Sequence, residues 1–132
     1  MRITNEADYA LRFLLVLADG TRKSAKIISE ESGVTLRFAL KILRKLSIAN
    51  IVGSQQGAAG GYYLKREPAS LSVGEVVDVI DGPLQINSCM DDAYICSRMG
   101  KNVDKCPIHC FFVKLNEDIR QKMYETTLDQ FI

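Results

Sequence analysis

The chain has 132 residues, 47% of them hydrophobic and 25% charged, which predicts one ordinary domain, or one domain with an extended arm. No run of about 18 apolar residues occurs, so a membrane-spanning helix is excluded, and the first residues lack the apolar region of a signal peptide. We therefore expect a cytoplasmic protein whose cysteines are normally reduced.

The charges are distributed unevenly along the chain. Residues 1–66 hold 11 Lys and Arg against 5 Asp and Glu, whereas residues 67–132 hold 6 against 11. A basic first half beside an acidic second half indicates that only the first half contacts a polyanion.

The first predicted helix begins at Thr4 or Asn5, with Glu6 and Asp8 in its first turn, where acids favour the helix dipole. Its apolar residues occupy nearly the whole circumference: Ala7, Ala10, Leu11, Leu14, Leu15 and Ala18 on one face, and Tyr9, Phe13 and Val16 on the other. A helix that is apolar on two sides in so small a protein predicts a subunit interface.

Two short helices joined by a turn follow. Ser24 caps the first, which runs to Ser32 with Ile27 and Ile28 facing inward, and Gly33 ends it. Thr35 caps the second, which runs from Leu36 to Leu46 and whose inward face is Leu36, Ala39, Leu40, Leu43 and Leu46. The pattern predicts a helix-turn-helix in which the second helix is basic. The candidate DNA-contacting residues are Thr35, Arg37, Phe38, Lys41, Arg44 and Lys45. The alternative is an ordinary helical pair with a solvated basic face.

A hairpin is predicted next. Residues 48–54 and 61–64 are prone to form strands, and they flank a glycine-rich tip in which Gly57, Gly60 and Gly61 permit positive φ and close backbone approach. After a recognition helix, such a hairpin is a wing that lies along DNA. The tip has no Lys or Arg, so its candidate contacts are Gln55, Gln56, Gly57 and Gly60. The alternative is a plain surface hairpin.

The second half begins with a capping box, Ser72-Val-Gly-Glu75, that opens a structural helix ended by Gly82-Pro83. Periodicity disappears from Leu84 to Lys105, which is typical of a loop shaped by a ligand. Pro107 opens a last helix whose apolar side comprises Ile108, Phe111, Phe112, Leu115, Ile119 and Met123. Such a long helix exceeds what this core can cover, so we expect it to pack on a partner subunit in a homodimer.

All four cysteines and the only histidine lie between Cys89 and Cys110. Thiolates and an imidazole in one loop suit an iron–sulfur cluster held by Cys89, Cys96 and Cys106, with His109 or Cys110 as fourth ligand. Zinc is the main alternative, although paired C-x2-C knuckles are absent, and plain thiols or a disulfide are the third. A small redox enzyme or metal carrier would not need a basic helix-turn-helix. No nucleophile–base pair or phosphate loop supports catalysis, so we do not expect an enzyme.

Several segments together resemble the IscR/NsrR/CymR-type (Rrf-type) winged-helix regulators of bacteria. They are Ile3-Thr-Asn-Glu-Ala-Asp-Tyr-Ala-Leu-Arg12, the helix-turn-helix at 24–46, Gly57-Ala-Ala-Gly-Gly-Tyr-Tyr-Leu64, Gly82-Pro83 and Cys106-Pro-Ile-His109. The resemblance implies a dimeric repressor or activator whose three cysteines hold a 2Fe–2S or 4Fe–4S cluster. It also implies that cluster loss, oxidation or nitrosylation changes the affinity for promoter DNA.

The resemblance further implies that Cys89, Cys96 and Cys106 are the cluster cysteines. It assigns the fourth position to His109, or to Asp8 of the other subunit, as in members that sense nitric oxide. The chain departs from the family pattern in gaps of six and nine residues between these cysteines and in the extra Cys110. It also has Gln55 and Gln56 where an Arg is common.

The resulting prediction is a mainly α fold with a small β-hairpin, a winged helix-turn-helix followed by a long C-terminal dimerisation helix. Residues 1–66 would bind double-stranded promoter DNA, and residues 67–132 would hold the cluster loop and the dimerisation helices. We expect cluster state to shift the 82–105 loop and the last helix, and so to reset the spacing of the two recognition helices in the dimer.

Overall fold

The computed structural model describes residues 3–132 and shows a mainly helical chain with one hairpin. Short 3-10 turns connect the longer elements. In chain order, the helices and strands are α1 (Asn5–Leu17), α2 (Ala25–Ser32), α3 (Leu36–Ile48), β1 (Val52–Gln55), β2 (Gly61–Leu64), α4 (Val73–Asp81) and α5 (Pro107–Glu125). The predicted fold class is confirmed.

Hydroxyl side chains begin three of the helices, as the sequence predicts. Thr4 Oγ1 accepts a hydrogen bond from Ala7 N at 3.2 Å, and Ser24 and Ser72 do the same for α2 and α4. Gly33 ends α2 in the left-handed conformation, with φ of 73°. Thr35 begins α3 without a side-chain hydrogen bond to the helix.

The strands β1 and β2 pair antiparallel, with Val52 opposite Leu64 and Gln55 opposite Gly61. The predicted first strand, residues 48–54, starts too early, because α3 continues to Ile48 and Asn50 then turns the chain with φ of 59°. A backbone bridge between Lys23 and Tyr62 adds the segment before α2 to the free edge of β2.

Helix α1 lies at the centre of the fold and packs on α2, α3 and α4. The main core joins side chains from both halves of the chain, such as Phe13 and Leu43 from the first and Leu71 and Leu128 from the second. The domain division 1–66 and 67–132 therefore stays a prediction, and residues 1 and 2 of the first range lie outside the described residues. None of the helices within 3–132 has the length and apolar character needed to span a membrane.

Three predicted inward positions are wrong. Ile27, Leu36 and Leu40 are exposed, by 42%, 45% and 47% respectively. The buried stripe of α3 is Ala39, Ile42, Leu43 and Leu46, so that the helix is rotated relative to the predicted stripe and Ile42 takes the inward place assigned to Leu40. Leu36 and Leu40 therefore flank the solvent-facing side of α3.

The last helix has two differently exposed sides. Asn116 and Met123 are buried against the rest of the chain, whereas Ile108 and Phe111 are exposed by 58% and 61%. Leu115 continues that exposed apolar stripe. Much of the apolar circumference of α1, by contrast, is covered within the single chain, including Phe13, Leu14 and Leu17.

Candidate functional site

The solvent-facing side of α3 carries the positive charge of the helix-turn-helix. Arg37, Lys41 and Arg44 are exposed on the side opposite the buried stripe, and Lys45 is half-buried beside them. Phe38 is 46% exposed and Thr35 is exposed at the start of the helix. The predicted DNA-contacting residues of α3 thus lie on or beside one accessible surface.

Two of these cations are bound by an acid from α1. The Nζ atoms of Lys41 and Lys45 lie 2.7 Å and 2.9 Å from the two carboxylate oxygens of Glu6. The hydrogen bonds from Lys41 and then Lys45 lower the pKa of Glu6. Sequence reasoning assigned Glu6 only to the helix dipole, because nothing in the local pattern reveals a partner 35 residues away.

The hairpin tip is exposed and depends on its glycines. Gly57 has φ of 104°, and its carbonyl accepts a hydrogen bond from Gly60 N at 3.0 Å, which closes the turn. A side chain at Gly60 would collide with the backbone carbonyl of Gln55, so glycine is needed there for space. Gln55 and Gln56 extend from this tip into solvent.

Three of the four cysteines and the histidine line one cavity of about 190 Å³ in the second half. The remaining walls come from the loop and the start of α5, and the lining residues are Asn87, Cys89, Tyr94, Cys96, Arg98, Val103, Cys106, Ile108 and His109. The Nδ1 atom of His109 lies 3.0 Å from the sulfur of Cys89. We call this cavity the cysteine pocket.

Each pocket residue is positioned by local backbone structure. Cys89 lies in the 3-10 turn Ser88–Met90, and Cys96 begins a tight turn in which it exchanges two backbone hydrogen bonds with Gly100, at 2.9 Å and 2.8 Å. Cys106 immediately precedes α5, and His109 lies in its first turn. The sequence therefore correctly predicted an irregular loop here, although not its turns.

Cys96 is the cysteine of the pocket whose sulfur accepts backbone hydrogen bonds. Backbone N–H groups of Met99 and Arg98 point at its sulfur, the latter at 3.4 Å, and these hydrogen bonds lower the pKa of the Cys96 thiol. The thiolate is the form that binds iron or zinc.

The two alternative fourth ligands lie elsewhere in this chain. Cys110 is exposed outside the pocket and its sulfur lies 3.4 Å from the carbonyl oxygen of Asp104. Asp8 lies on α1 and forms an ion pair with Arg12 at 2.7 Å.

The donors of the cysteine pocket do not meet at one point in the described part of the chain. Within residues 3–132, no three Cys, His, Asp or Glu side chains converge so as to hold one metal ion. A structural zinc needs four donors about 2.0–2.3 Å from one point. A cluster distributes its ligands over two or more irons, so its donors face a common cavity without meeting at one point.

The loop that forms the pocket is attached to α5, and the helix that precedes the loop is attached to the start of α1. The buried Asn116 donates to the Leu84 carbonyl at 2.9 Å and accepts from Ile86 N at 3.1 Å. Asp81, at the end of α4, accepts hydrogen bonds from the backbone and hydroxyl of Thr4, the former at 3.1 Å. These contacts join the pocket loop, α5 and the start of α1, and local sequence patterns do not reveal them.

Comparison with known proteins places this geometry in a family. The family model described as "Rrf2: Iron-dependent Transcriptional regulator" matches residues 3–132. An rrf2-like HTH-type transcriptional regulator of Rhodobacter capsulatus is 38% identical over 94 residues, which cover 67% of this chain, and the match spans 63% of that relative's length. The regulator IscR of Klebsiella pneumoniae is 28% identical over 137 residues, covering 100% of this chain and 80% of IscR.

Two solved structures share the fold. CymR, described as the global cysteine regulator of B. subtilis, superposes with a TM-score of 0.77 at 21% identity, covering 99% of this chain and 95% of CymR. IscR of T. potens superposes with a TM-score of 0.76 at 23% identity, covering 99% of this chain and 85% of that chain. The relatives named by function are transcriptional regulators and not enzymes.

Proposed function

This chain belongs to the Rrf2 family of transcriptional regulators, and we propose that it is a homodimeric regulator of promoter DNA that carries an iron–sulfur sensor. The observation that carries the proposal is the cysteine pocket, in which three of four cysteines and the only histidine share one cavity in a chain that also has a basic helix-turn-helix. The protein would act in the cytoplasm.

The DNA-binding part of the proposal rests on α3 and the hairpin. Arg37 and Arg44 form no ion pair with any carboxylate in the described range 3–132, so their charges are available to phosphates or to guanine edges. Lys41 and Lys45 add charge when they exchange Glu6 for phosphate. Thr35 and Phe38 lie beside these cations, and Gln55, Gln56, Gly57 and Gly60 would approach the DNA backbone from the wing.

The sensor part assigns the cluster ligands. Cys89, Cys96 and Cys106 would hold a 2Fe–2S or 4Fe–4S cluster, and His109 would be the fourth ligand. When bound, the cluster would supply a redox-active centre that oxygen and nitric oxide can attack. Asp8 from the partner remains the alternative fourth ligand. Cys110 has less support, because its thiol lies outside the pocket.

Dimerisation is supported by the exposed stripe on α5. Ile108, Phe111 and Leu115 present a row of apolar side chains at i, i+3 and i+7, whose exposure in a single chain is unfavourable in water. A second copy of the same stripe, related by a two-fold axis, would bury both rows. Two α3 helices would then face DNA together.

The contacts around the loop support a route from sensor to DNA. A change in the pocket would move residues 82–105, which Asn116 attaches to α5. Asp81 precedes this segment and binds Thr4, two residues before the acid that holds Lys41 and Lys45. A shift of the loop would therefore reach α3 through the start of α1 as well as through the dimer interface.

A regulator that uses zinc or free thiols is the second candidate. It is favoured by the hydrogen bonds that lower the pKa of the Cys96 thiol, because a lower pKa raises the fraction of thiolate without any metal. Such a protein would bind the same DNA but respond to thiol oxidation.

The test is anaerobic purification of the full chain, with iron, sulfide and zinc measured together and the visible spectrum recorded. A duplex is then selected from a randomised library, and its affinity is measured with and without the bound centre. We expect a brown protein containing iron and sulfide, whose affinity changes when the cluster is removed. A colourless protein that contains zinc would contradict the cluster, and equal affinities would contradict sensing.

A further inference from the structure

A positive charge lies on the outer face of the hairpin, although the hairpin tip has none. Tyr62 and Leu64 pack against the main core, and side chains alternate along a strand, so Tyr63 lies on the opposite, outer face. Gly53 pairs with Tyr63 and Gln55 pairs with Gly61 on that same face. The two glycines leave only Tyr63 and Gln55 to cover it.

Arg22 reaches this face from the segment before α2. The bridge between Lys23 and Tyr62 places Arg22 beside Tyr63, and the guanidinium carbon lies 5.3 Å from the centre of the Tyr63 ring. This is the geometry of a cation–π interaction, which restrains the Arg side chain without neutralising its charge.

Backbone features on both sides position the stack of Arg22 on the Tyr63 ring. A methyl group on Gly53 would lie 2.5 Å from a ring carbon of Tyr63, so the ring lies directly across β1 because residue 53 has no side chain. On the other side, Asp19 Oδ1 accepts hydrogen bonds from the backbone N and hydroxyl of Thr21, at 3.0 Å and 2.7 Å. This turn fixes the direction of the residue that follows, Arg22.

The neighbouring cation has acidic partners, whereas Arg22 has none among residues 3–132. Lys23 forms ion pairs with Asp19 at 3.2 Å and Glu31 at 3.0 Å. No carboxylate of residues 3–132 forms an ion pair with Arg22. A fixed, planar, unneutralised guanidinium on an otherwise glycine-rich face is suited to bind a phosphate.

We propose that Arg22, held against Tyr63, contacts a phosphate of the DNA backbone beside the hairpin and supplies the cation that residues 55–60 lack. The inference rests on the proposed DNA-binding function and adds a residue outside the helix-turn-helix and the tip. A phosphate is favoured over a base edge because Arg22 lies beside the middle of β2, away from the protruding tip.

The experiment measures the affinity of the full chain for the library-selected duplex as a function of salt. Each phosphate contact contributes about 0.9 to the slope of log affinity against log salt. Arg22→Ala should therefore reduce the slope by about 0.9 and weaken binding by roughly eightfold at 0.1 M salt, with the loss vanishing near 1 M. Lys114→Ala is the matched control, since it removes one exposed charge on α5 and should leave the slope unchanged.

Variants of Tyr63 test whether its aromatic ring holds Arg22 in position. Tyr63→Phe retains the aromatic face and should bind DNA as the wild type does. Tyr63→Leu should show a smaller slope of log affinity against log salt. The Arg22→Ala change should have a smaller effect in the Tyr63→Leu background. Circular dichroism of each variant establishes that the fold is retained.

An unchanged slope in Arg22→Ala would overturn the inference and leave a purely structural stack. An equal fall of the slope in the Lys114→Ala control would also overturn the inference, because the charge of Arg22 would then act only through the net charge of the protein. If the wild-type chain selects no duplex, the proposed function itself fails and the inference fails with it.

Discussion

The Nδ1 atom of His109 lies 3.0 Å from the sulfur of Cys89, a residue 20 positions earlier in the chain. The contact joins the first cysteine of the loop to the helix that follows the loop. It also directs Nδ1 toward a thiol that we propose as a cluster ligand, so the imidazole of His109 lies beside the proposed ligand set.

We expect the four cysteines to behave in two classes. Changing Cys89, Cys96 or Cys106 to Ser should each remove nearly all of the visible absorbance of anaerobically purified protein, because each replaces a thiolate of the pocket. Cys110→Ser is the matched control and should retain the spectrum. Loss of absorbance in Cys110→Ser alone would show that the pocket does not mark the ligands.

Glu6→Gln should strengthen DNA binding. The change frees Lys41 and Lys45 from their acid, and two exposed ion pairs of roughly 0.5 kcal/mol each correspond to about a fivefold higher affinity. The slope of affinity against salt should also become steeper. The comparison is with Glu117→Gln, an exposed acid on α5, and an affinity at or below wild type would contradict the role of Glu6 as a competitor of phosphate.

Asp19 predicts a pH dependence in the turn that carries Arg22. Hydrogen bonds from the backbone and hydroxyl of Thr21, and then from Lys23, lower the pKa of Asp19 from 3.8 to about 2. Because the folded pKa is the lower one, Asp19 stabilises the fold fully above pH 3.8, and this stabilisation is lost as pH falls toward 2. Denaturant unfolding at several pH values should show Asp19→Asn less stable than wild type at pH 5, with the difference shrinking by pH 2.

Phe111→Glu should produce a monomer. A charge in the centre of an apolar interface should weaken association by about 2 kcal/mol or more, which is roughly 30-fold. Sedimentation at several protein concentrations measures the effect, and Glu117→Lys provides the control, because Glu117 is exposed on another side of the same helix. A dimer of unaltered affinity would place the interface away from Ile108, Phe111 and Leu115.

Local patterns predicted the elements well and the contacts between them less well. Thr4, Ser24, Gly33 and Pro107 begin or end helices as expected, because capping and backbone preferences depend only on neighbouring residues. The predicted stripe on α3 was wrong at two positions, because Leu36 and Leu40 are as apolar as Ile42. Which of them faces inward is decided by the packing of α3 on α1, not by its own sequence.

In the candidate site, too, local patterns predicted which residues cluster along the chain but not the contacts between distant segments. The pocket contains Cys89, Cys96, Cys106 and His109, whose clustering along the chain was visible, and it omits Cys110 for a reason that only three-dimensional structure supplies. The pair between Glu6 and Lys41 and the stack of Arg22 on Tyr63 join distant segments, so no local pattern could reveal them.

The hydrogen bonds of Asn116 have a consequence for how the loop receives its ligand. Leu84 and Ile86 are fixed to the middle of α5 by Asn116, and Cys106 adjoins the first turn of the same helix, so both ends of the segment belong to one rigid rod. The entropy cost of bringing the two ends of this loop together therefore falls on folding and not on ligand binding. An inorganic centre bound as we propose would therefore meet a loop whose two ends are already fixed, so that only the middle of the loop would have to adjust.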